Sequence, residues 1–204
     1  MKPFYGFCYF LAQTAARIFF RLSVKGRDNI PREGAFIAAS NHIAYADPVV
    51  IGSIIKREIG FMAKAELFKT KFMKKLLAKL NAFPIHRGKS DVASFKTSIH
   101  ILSDLKKPLL VFPEGTRILT GELGQPKRGA AFIASKTKVP ILPIYIKNSD
   151  RLLQCTLFLR RIKIRIGPLI EYSEYQNLVS HRSKYSEFSQ LVMARIQLLK
   201  DNMI

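Results

Sequence analysis

The chain passes from an apolar run into a polar segment at Phe36-Ile37-Ala38-Ala39-Ser40-Asn41-His42-Ile43-Ala44-Tyr45-Ala46-Asp47-Pro48. The turn signal Pro31-Arg32-Glu33-Gly34 precedes the apolar run, so residues 36–39 are predicted to form a short strand. The polar segment then follows the end of a strand, which is where sites usually form in α/β sheets. This stretch therefore predicts both an α/β fold and the position of a site within it.

Strand-like runs recur along the rest of the chain, with helical stretches between them. Strands are predicted at 59–63, 82–85, 109–112, 139–146 and 162–166, and helices at 48–57, 67–80, 91–106, 127–137 and 183–200. This alternation predicts an α/β fold with a mixed, largely parallel central sheet flanked by helices. No linker divides the chain, and 204 residues are enough for one domain with a substantial core.

Residues 1–24 are predicted to be an amphipathic, membrane-associating helix that precedes a main domain at 25–204. On a helical wheel Gln13, Thr14, Arg17 and Arg21 fall on one side, and Phe4, Phe7, Leu11, Ile18 and Leu22 on the other. The apolar run is shorter than the roughly 20 residues of a spanning helix. The helix is therefore expected to lie on a membrane or to pack on the domain. A cleaved signal peptide is the alternative.

The composition is strongly basic, with 34 Lys and Arg residues against 14 Asp and Glu and a formal net charge of +20. A surface of this kind attracts nucleic acid, an anionic membrane or a phosphorylated substrate. The sequence contains no helix-turn-helix, zinc-finger or aromatic-basic RNA signature, so we expect no nucleic-acid partner. An anionic membrane surface is the expected partner.

The segment 68–80 is a second candidate for membrane contact. Its apolar residues Phe72, Met73, Leu76, Leu77 and Leu80 share one helical face, and Lys71, Lys74, Lys75 and Lys79 gather on the other. This pattern is typical of a helix in the headgroup layer of an anionic bilayer. It is equally typical of a surface helix with its apolar face in the core, and both interpretations stay open.

The sequence gives no indication of a metal site or a disulfide. The cysteines, Cys8 and Cys155, lack metal-ligand and redox spacing, and the four histidines form no zinc-type cluster. We therefore expect two free thiols, no metal and no cofactor.

His42 and Asp47 are the candidates for chemistry in the first segment. A histidine whose far ring nitrogen is held by a carboxylate is a general base for a hydroxyl group. On a continuous helix two side chains five positions apart diverge by about 140°, so the pair needs a turn between them. Pro48 favours the first helical position, which makes Asp47 the predicted N-cap. Asp47 as a cap alone, with His42 as a polar loop residue, is the alternative.

A second motif, Phe112-Pro113-Glu114-Gly115-Thr116-Arg117, ends another apolar strand. Its glycine permits a tight turn, and backbone amides together with Arg117 could bind a phosphate. The residues themselves indicate an anion site, and the alternative is a strand-ending turn with a solvated arginine.

Together these motifs resemble the glycerolipid acyltransferase family, and within it the bacterial 1-acylglycerol-3-phosphate acyltransferases. Phe83-Pro84-Ile85-His86-Arg87 is similar to the second block of the family, and Val139-Pro140-Ile141-Leu142-Pro143 to its fourth. The resemblance covers residues 25–170, with all four blocks in the order of the family. It implies a glycerol-3-phosphate acyltransferase-like fold and makes residues 25–204 an acyltransferase domain.

The resemblance also implies roles for single residues. His42 would be the general base and Asp47 its orienting partner, while Arg87, Glu114, Gly115, Thr116 and Arg117 would bind the glycerol-phosphate head of the acceptor. Lys64 would assist in binding that phosphate or be a solvated surface lysine. Residues 139–143 would shape the acyl or acceptor pocket, although their prolines would also suit the end of a bent strand.

Two positions depart from the pattern of the family. Relatives commonly carry a small hydroxyl residue where this chain has Ala44, and a glycine where it has Asn81. The role of the missing hydroxyl must be filled differently or not at all. Asn81 tolerates the left-handed backbone conformation, so the turn is expected to survive.

The implied reaction transfers a fatty acyl group from acyl-CoA or acyl-carrier protein to the sn-2 hydroxyl of 1-acylglycerol-3-phosphate, forming phosphatidate. Neither cysteine lies in a motif, so direct transfer without an acyl-cysteine is expected. The alternatives are glycerol-3-phosphate or another lysolipid as acceptor, and a non-catalytic binding protein. The implied location is the cytoplasmic face of the cell membrane, with peripheral or monotopic attachment.

Overall fold

A computed structural model describes residues 1–86 and 91–203. The helices are α1 Pro3–Ile18, α2 Asp47–Gly52, α3 Lys71–Lys79, α4 Val92–Ser103, α5 Gly129–Thr137, α6 Leu152–Thr156, α7 Tyr172–Val179 and α8 Tyr185–Asp201. The strands are β1 Ser23–Lys25, β2 Ile37–Ser40, β3 Gly60–Lys64, β4 Ala82–Ile85, β5 Leu109–Val111, β6 Ile141–Lys147 and β7 Lys163–Ile166. Short 3-10 turns occupy Arg27–Asn29, Ala65–Phe68 and Arg182–Lys184.

The strands form one seven-stranded sheet in the order β1-β7-β6-β2-β5-β3-β4. The five strands from β6 to β4 are parallel, β7 is antiparallel to β6, and β1 is parallel to β7. The predicted single α/β domain with a mixed, largely parallel sheet is therefore confirmed. We call the end of the sheet at which β2, β3, β5 and β6 finish its carboxyl end. Since β7 runs the other way, β7 and β1 begin at that same end.

Apolar side chains cover both faces of the sheet. On one face α4, α5, α7 and α8 enclose a cluster that includes Tyr175, Phe188 and Ile196. On the other face α2 and the residues that follow it bury Ile51, Ile54 and Ile55 against β2, β6 and β7. Removing apolar surface of this extent from water is the main force that holds the layers together.

Several elements differ from the sequence predictions in their limits. β1, α6 and α7 were not predicted, because a strand of three residues and helices of five and eight give too little periodicity to detect. β1 spans the limit placed at residue 24, so the strand that follows α1 belongs to the sheet. The helix predicted at 48–57 ends at Gly52. Asn81 adopts the left-handed conformation, with φ of 58°, as expected for the turn before β4.

Helix α1 packs on the domain through its polar and small residues and leaves its large apolar residues outside. Tyr5 is buried, and the Gln13 side-chain amide donates to the Ser53 carbonyl at 3.3 Å. Phe7 and Phe10 on the other side are 60% and 62% exposed. Among the described residues no helix is long and apolar enough to cross a membrane. The apolar face of α1 therefore lies in solvent, whereas an ordinary surface helix packs its apolar face on the core.

Glu58 fixes the start of α1 to the sheet. Its carboxylate accepts hydrogen bonds from the backbone amide of Lys2 and the ammonium group of Lys107, both at 2.5 Å. Burial alone would raise the pKa of Glu58, but the bonds from Lys107 and Lys2 lower it to about 2. A carboxylate with a lowered pKa stabilises the fold above its ordinary pKa, and that stabilisation disappears as the pH falls through the lowered value.

We predict that Glu58→Gln lowers the free energy of unfolding by up to about 3 kcal/mol at pH 6, the equivalent of the pKa change. The difference from wild type should shrink below about pH 4.5 and vanish near pH 2. Urea titrations of both proteins across this range provide the measurement. Exposed Glu187→Gln is the control and should follow wild type at every pH. A Glu58→Gln deficit that stays constant with pH would contradict the role of the charge.

Candidate active site

His42 and Asp47 form a buried pair at the carboxyl end of β2. The Nδ1 atom of His42 lies 2.7 Å from Oδ2 of Asp47, and Asp47 is fully buried. With Nδ1 bound to the carboxylate, Nε2 is the ring nitrogen that can take up a proton. The ring stacks on Phe112, with centroids 4.0 Å apart and planes inclined by 14°. The arrangement provides an oriented imidazole base.

The Asp47 carboxylate is surrounded by donors. Its Oδ2 also accepts from the backbone amides of Ile43 and Ala44, at 2.7 and 2.9 Å. Its Oδ1 accepts from the hydroxyl of Ser149 at 2.5 Å. Asp47 was predicted to be the N-cap of α2, but the N-cap is Ala46 and Asp47 is the first helical residue. The carboxylate turns back into the loop because its donors lie there.

Glu114 connects the second motif to the first. Its Oε2 accepts from the backbone amide of His42 at 3.0 Å, and its Oε1 from the amide of Gly124 at 2.9 Å. Burial raises the pKa of Glu114, and the bonds from Gly124 and His42 partly offset that rise. Both oxygens are thus engaged with the backbone of the site, and the carboxylate holds the His42 loop against the end of β5.

Two further side chains attach the site to β6 and the loop after it, and sequence reasoning missed the roles of both. The Asn41 side chain accepts from the Ile146 amide at 2.8 Å and donates to the Ile146 carbonyl at 3.0 Å. Ser149, which bonds Asp47, is 102 positions away in the chain. No local pattern signals a contact over that distance. Asn41 lies within the first motif, so its position was the only available signal.

The rest of the second motif forms a turn beside the histidine. Arg117 stacks on Tyr45, with its guanidinium carbon 3.6 Å from the ring centroid. Thr116 is exposed. Gly115 has φ of 66°, a left-handed conformation that favours glycine, and a Cβ there would lie 2.8 Å from the flexible side chain of Lys127. The turn brings the cations Arg117 and Lys127 to the site, and Lys127 was not among the predicted residues.

Two predicted residues, Lys64 and Arg87, remain. Lys64 ends β3 at the carboxyl end of the sheet and lies exposed, 3.3 Å from Glu66. Arg87, the last residue of the second block, lies outside the described residues. The catalytic and binding roles of all the named residues stay predictions.

An apolar groove of about 280 Å³ opens beside the His42 loop. It runs between α1, α2, β3 and α3, and its lining includes Tyr9, Cys8, Tyr45, Val49, Met62, Leu77 and Leu80. Tyr45 separates the groove from Arg117, so a cationic and an apolar compartment meet at one side chain. The apolar face of α3, which the sequence left open between membrane and core, partly lines this groove.

Residues 139–143 lie elsewhere. β6 begins at Ile141, which pairs with Ile37 at the start of β2, opposite the carboxyl end that carries His42. Ile141 and Leu142 are buried in the two faces of the core. The segment therefore builds the sheet, in keeping with the bent-strand alternative. Within residues 1–86 and 91–203, no three His, Cys, Asp or Glu side chains come together as metal ligands would.

Comparisons with known proteins agree with this geometry. The sequence pattern of the Acyltransferase family matches residues 21–147. A 1-acyl-sn-glycerol-3-phosphate acyltransferase of Bacillus subtilis is 28% identical over 201 residues, covering 98% of each chain. A protein of the same name from Streptococcus pneumoniae is 29% identical over 153 residues, which are 74% of this chain and 56% of that one.

The fold also has a counterpart among solved structures. The 1-acyl-sn-glycerophosphate acyltransferase PlsC of Thermotoga maritima superposes with a TM-score of 0.75 at 22% identity, covering 97% of this chain and 78% of the other. At 22% identity the superposition shows similarity of fold and nothing about function. The family match spans more than half of the chain and includes both motifs of the site. The chain therefore belongs to the acyltransferase family.

Proposed function

We propose that this protein transfers a fatty acyl group from a thioester donor to the sn-2 hydroxyl of 1-acylglycerol-3-phosphate, giving phosphatidate. The observation that carries the proposal is the buried His42–Asp47 pair at a point where cationic side chains meet an apolar groove. A lysophosphatidate has one hydroxyl to deprotonate, one phosphate and one acyl chain. The names of the most similar relatives describe the same reaction.

The proposed mechanism is direct transfer. Nε2 of His42 takes the proton of the acceptor hydroxyl as that oxygen attacks the thioester carbonyl, and Asp47 stabilises the imidazolium that forms. The tetrahedral oxyanion then collapses and expels the thiol of the carrier, which receives the proton. Backbone amides near the motif turns are the expected donors to the oxyanion. Neither cysteine of the protein is expected to form an acyl intermediate, since Cys155 is buried and Cys8 lies on α1, outside the motifs.

The acceptor phosphate is proposed to bind Arg117 and Lys127, with help from Lys64 and Arg87. Arginine pairs with phosphate oxygens in bidentate fashion. The contacts of Glu114 support a different role from the phosphate binding that the resemblance implies. Its carboxylate would repel a phosphate, whereas its bonds to the His42 and Gly124 amides fix the loop that presents the base. We assign Glu114 to positioning of the site.

The apolar groove is proposed to receive an acyl chain. Its lining is almost wholly apolar, and Tyr45 places its mouth next to the cation that would bind the phosphate. Acyl-CoA or acyl-carrier protein is the proposed donor, bound as a substrate. Glycerol-3-phosphate as acceptor is the second candidate, because the same cations would hold its phosphate.

The site of action is proposed to be the cytoplasmic face of the cell membrane. The exposed apolar face of α1 would lie among the lipids, and the net charge of +20 would attract an anionic leaflet. This attachment is peripheral or monotopic, and it delivers an acceptor that resides in the bilayer.

We predict that His42→Ala lowers kcat by at least about 100-fold in a protein that still folds, because a positioned base typically contributes 10²–10⁴-fold. Both proteins would receive lysophosphatidate on anionic vesicles with labelled acyl-CoA or acyl-carrier protein, and glycerol-3-phosphate in parallel. Phosphatidate formed by wild type alone supports the proposal. Product from glycerol-3-phosphate but not from lysophosphatidate would assign the protein to the first acylation, at the sn-1 hydroxyl. Equal rates for the two proteins would refute the role of His42.

We predict that Ser149→Ala lowers kcat by about 10-fold at little changed KM, because Asp47 loses a donor and holds the imidazole less well. Ser149→Thr keeps a hydroxyl and should restore at least half of the activity. Steady-state kinetics and thermal melts of the three proteins provide the test. A purely structural role would be indicated if Ser149→Thr were as inactive as Ser149→Ala.

We predict that attaching an octyl group to Cys8 through a methanethiosulfonate lowers the rate with long-chain lipids at least fivefold. The group would occupy the groove that Cys8 lines, whereas Cys155 is buried and should not react. Rates with acyl donors and acceptors of 6 and 16 carbons, tested in every combination, show which chain the groove holds. Cys8→Ala treated with the same reagent is the control. Full activity of the labelled protein with all lipids would place the acyl chain elsewhere.

A further inference from the structure

A short segment between β6 and β7 carries four large apolar side chains into solvent. Leu153, Leu157, Phe158 and Leu159 are 73%, 59%, 67% and 74% exposed. They lie on α6 and the turn that follows it, outside the groove and outside the motifs. We call Leu153, Leu157, Phe158 and Leu159 the apolar tip. Single exposed apolar residues are common, but a cluster of four indicates an interaction surface.

The backbone holds the apolar tip in its exposed position. Phe158 has φ of 61°, a conformation that costs a residue with a Cβ about 1 kcal/mol. Its carbonyl accepts from the Arg21 guanidinium at 3.0 Å, and the amide of Leu159 donates to the Gln154 carbonyl at 3.0 Å. These contacts fix a turn in which the phenyl ring projects outward. This left-handed turn ends α6 and leaves the phenyl ring exposed to solvent.

Arginines flank the apolar tip. Arg21 lies with its guanidinium carbon 5.7 Å from the Phe158 ring, and Arg160 and Arg161 follow the tip directly in sequence. Arg151 precedes it and contacts the acidic Asp150 at 3.6 Å. Apolar side chains with arginines beside them match the boundary between the acyl chains and headgroups of an anionic bilayer.

The apolar tip lies at the carboxyl end of the sheet, where His42 also lies. β6 ends at that end, and β7 begins there when the chain returns. The end of α1 adjoins the tip, because the Phe20 carbonyl accepts from the Ile162 amide at 3.1 Å. The exposed residues Ile18, which ends α1, and Phe19, which follows it, therefore lie near the tip.

We propose that the apolar tip is a second membrane-contacting element, which enters an anionic lipid bilayer together with α1. Contact through both α1 and the apolar tip fixes the orientation of the protein and brings the carboxyl end of the sheet, where the tip lies, next to the lipid. An acceptor in the leaflet reaches His42 without crossing water. The last step rests on the proposed function, whereas insertion of the tip does not.

Tryptophan fluorescence provides a direct test, since the chain contains no tryptophan. Phe158→Trp places a reporter at the apolar tip, and Gln176→Trp places one at an exposed position on α7, which covers the face of the sheet opposite α2. With vesicles of phosphatidylglycerol and phosphatidylcholine, we expect Phe158→Trp to shift its emission by at least 10 nm to the blue and to be quenched by brominated acyl chains. Gln176→Trp should do neither.

The same experiment can overturn the proposal. If both proteins sediment with the vesicles while the Phe158→Trp emission stays unchanged, α1 alone makes the contact and the apolar tip has another partner. Equal shifts for both reporters would mean that the protein binds lipid without a fixed orientation, which also contradicts the proposal.

Loss of binding provides the second test. Leu157→Ser with Leu159→Ser should weaken sedimentation with anionic vesicles at least fivefold, and Gln176→Ser on α7 should not. The double variant should keep its rate on a short-chain lysophosphatidate dissolved as monomers and lose it on vesicles. Unchanged binding by a folded double variant would refute the proposal. If wild type acylates no acceptor but its vesicle binding still depends on the apolar tip, the proposed function fails and this inference stands.

Discussion

The Asp47 carboxylate is a buried charge, and much of the site can be understood from what that charge requires. An ionised carboxylate removed from water is costly unless hydrogen-bond donors replace the water around it. Here the donors are two amides of the loop after β2, the ring of His42 and the hydroxyl of Ser149. The loop must curl around the carboxylate to bring its amides into reach. That curl turns the imidazole outward with one nitrogen held and the other open.

The hydrogen bonds around the His42 loop connect the ends of three neighbouring strands. Asp47 and His42 follow β2, Ser149 follows β6, and Glu114 follows β5. β2 lies between the other two in the sheet, so its terminal loop can be bonded from both sides. β2 ends before it can pair with Ile146 of β6. The Asn41 side chain supplies the donor and the acceptor that the backbone of a longer β2 would offer to Ile146. The imidazole of His42 is thus held by neighbours that follow three strands, as the proposed role of a catalytic base requires.

Sequence patterns predicted the sheet well because its strands are short apolar runs between turn signals. They predicted the His42–Asp47 pair only with the help of the family resemblance. The spacing alone recurs in His86 and Asp91, which are also bonded, at 3.1 Å, yet there the histidine is largely exposed and the aspartate caps α4. Burial makes the difference between the two pairs, and burial depends on strands that are distant in sequence.

The orientation of α1, the role of Ser149 and the apolar tip could not be predicted from the sequence either, because they also depend on contacts between distant segments. A helical wheel shows that α1 has two faces, but the orientation of those faces depends on whether α2 offers polar or apolar partners. Gln13 finds the Ser53 carbonyl there, so the apolar face is turned out. Ser149 and the apolar tip lie in segments without periodicity. Their importance appears only when the return of β7 brings them to the end of the sheet that carries the base.

The pairing of β1 with β7 has a consequence for the biosynthesis of the protein. The Asn29 side chain, just after β1, bonds the Ile166 carbonyl at the end of β7, 137 positions later. At 5–20 residues per second, a ribosome needs about 7–30 s to make the intervening chain. During that interval α1 is complete but β1 has no partner in the sheet. The nascent helix is therefore free to make its first contacts, such as the proposed one with lipid, before the domain has finished folding.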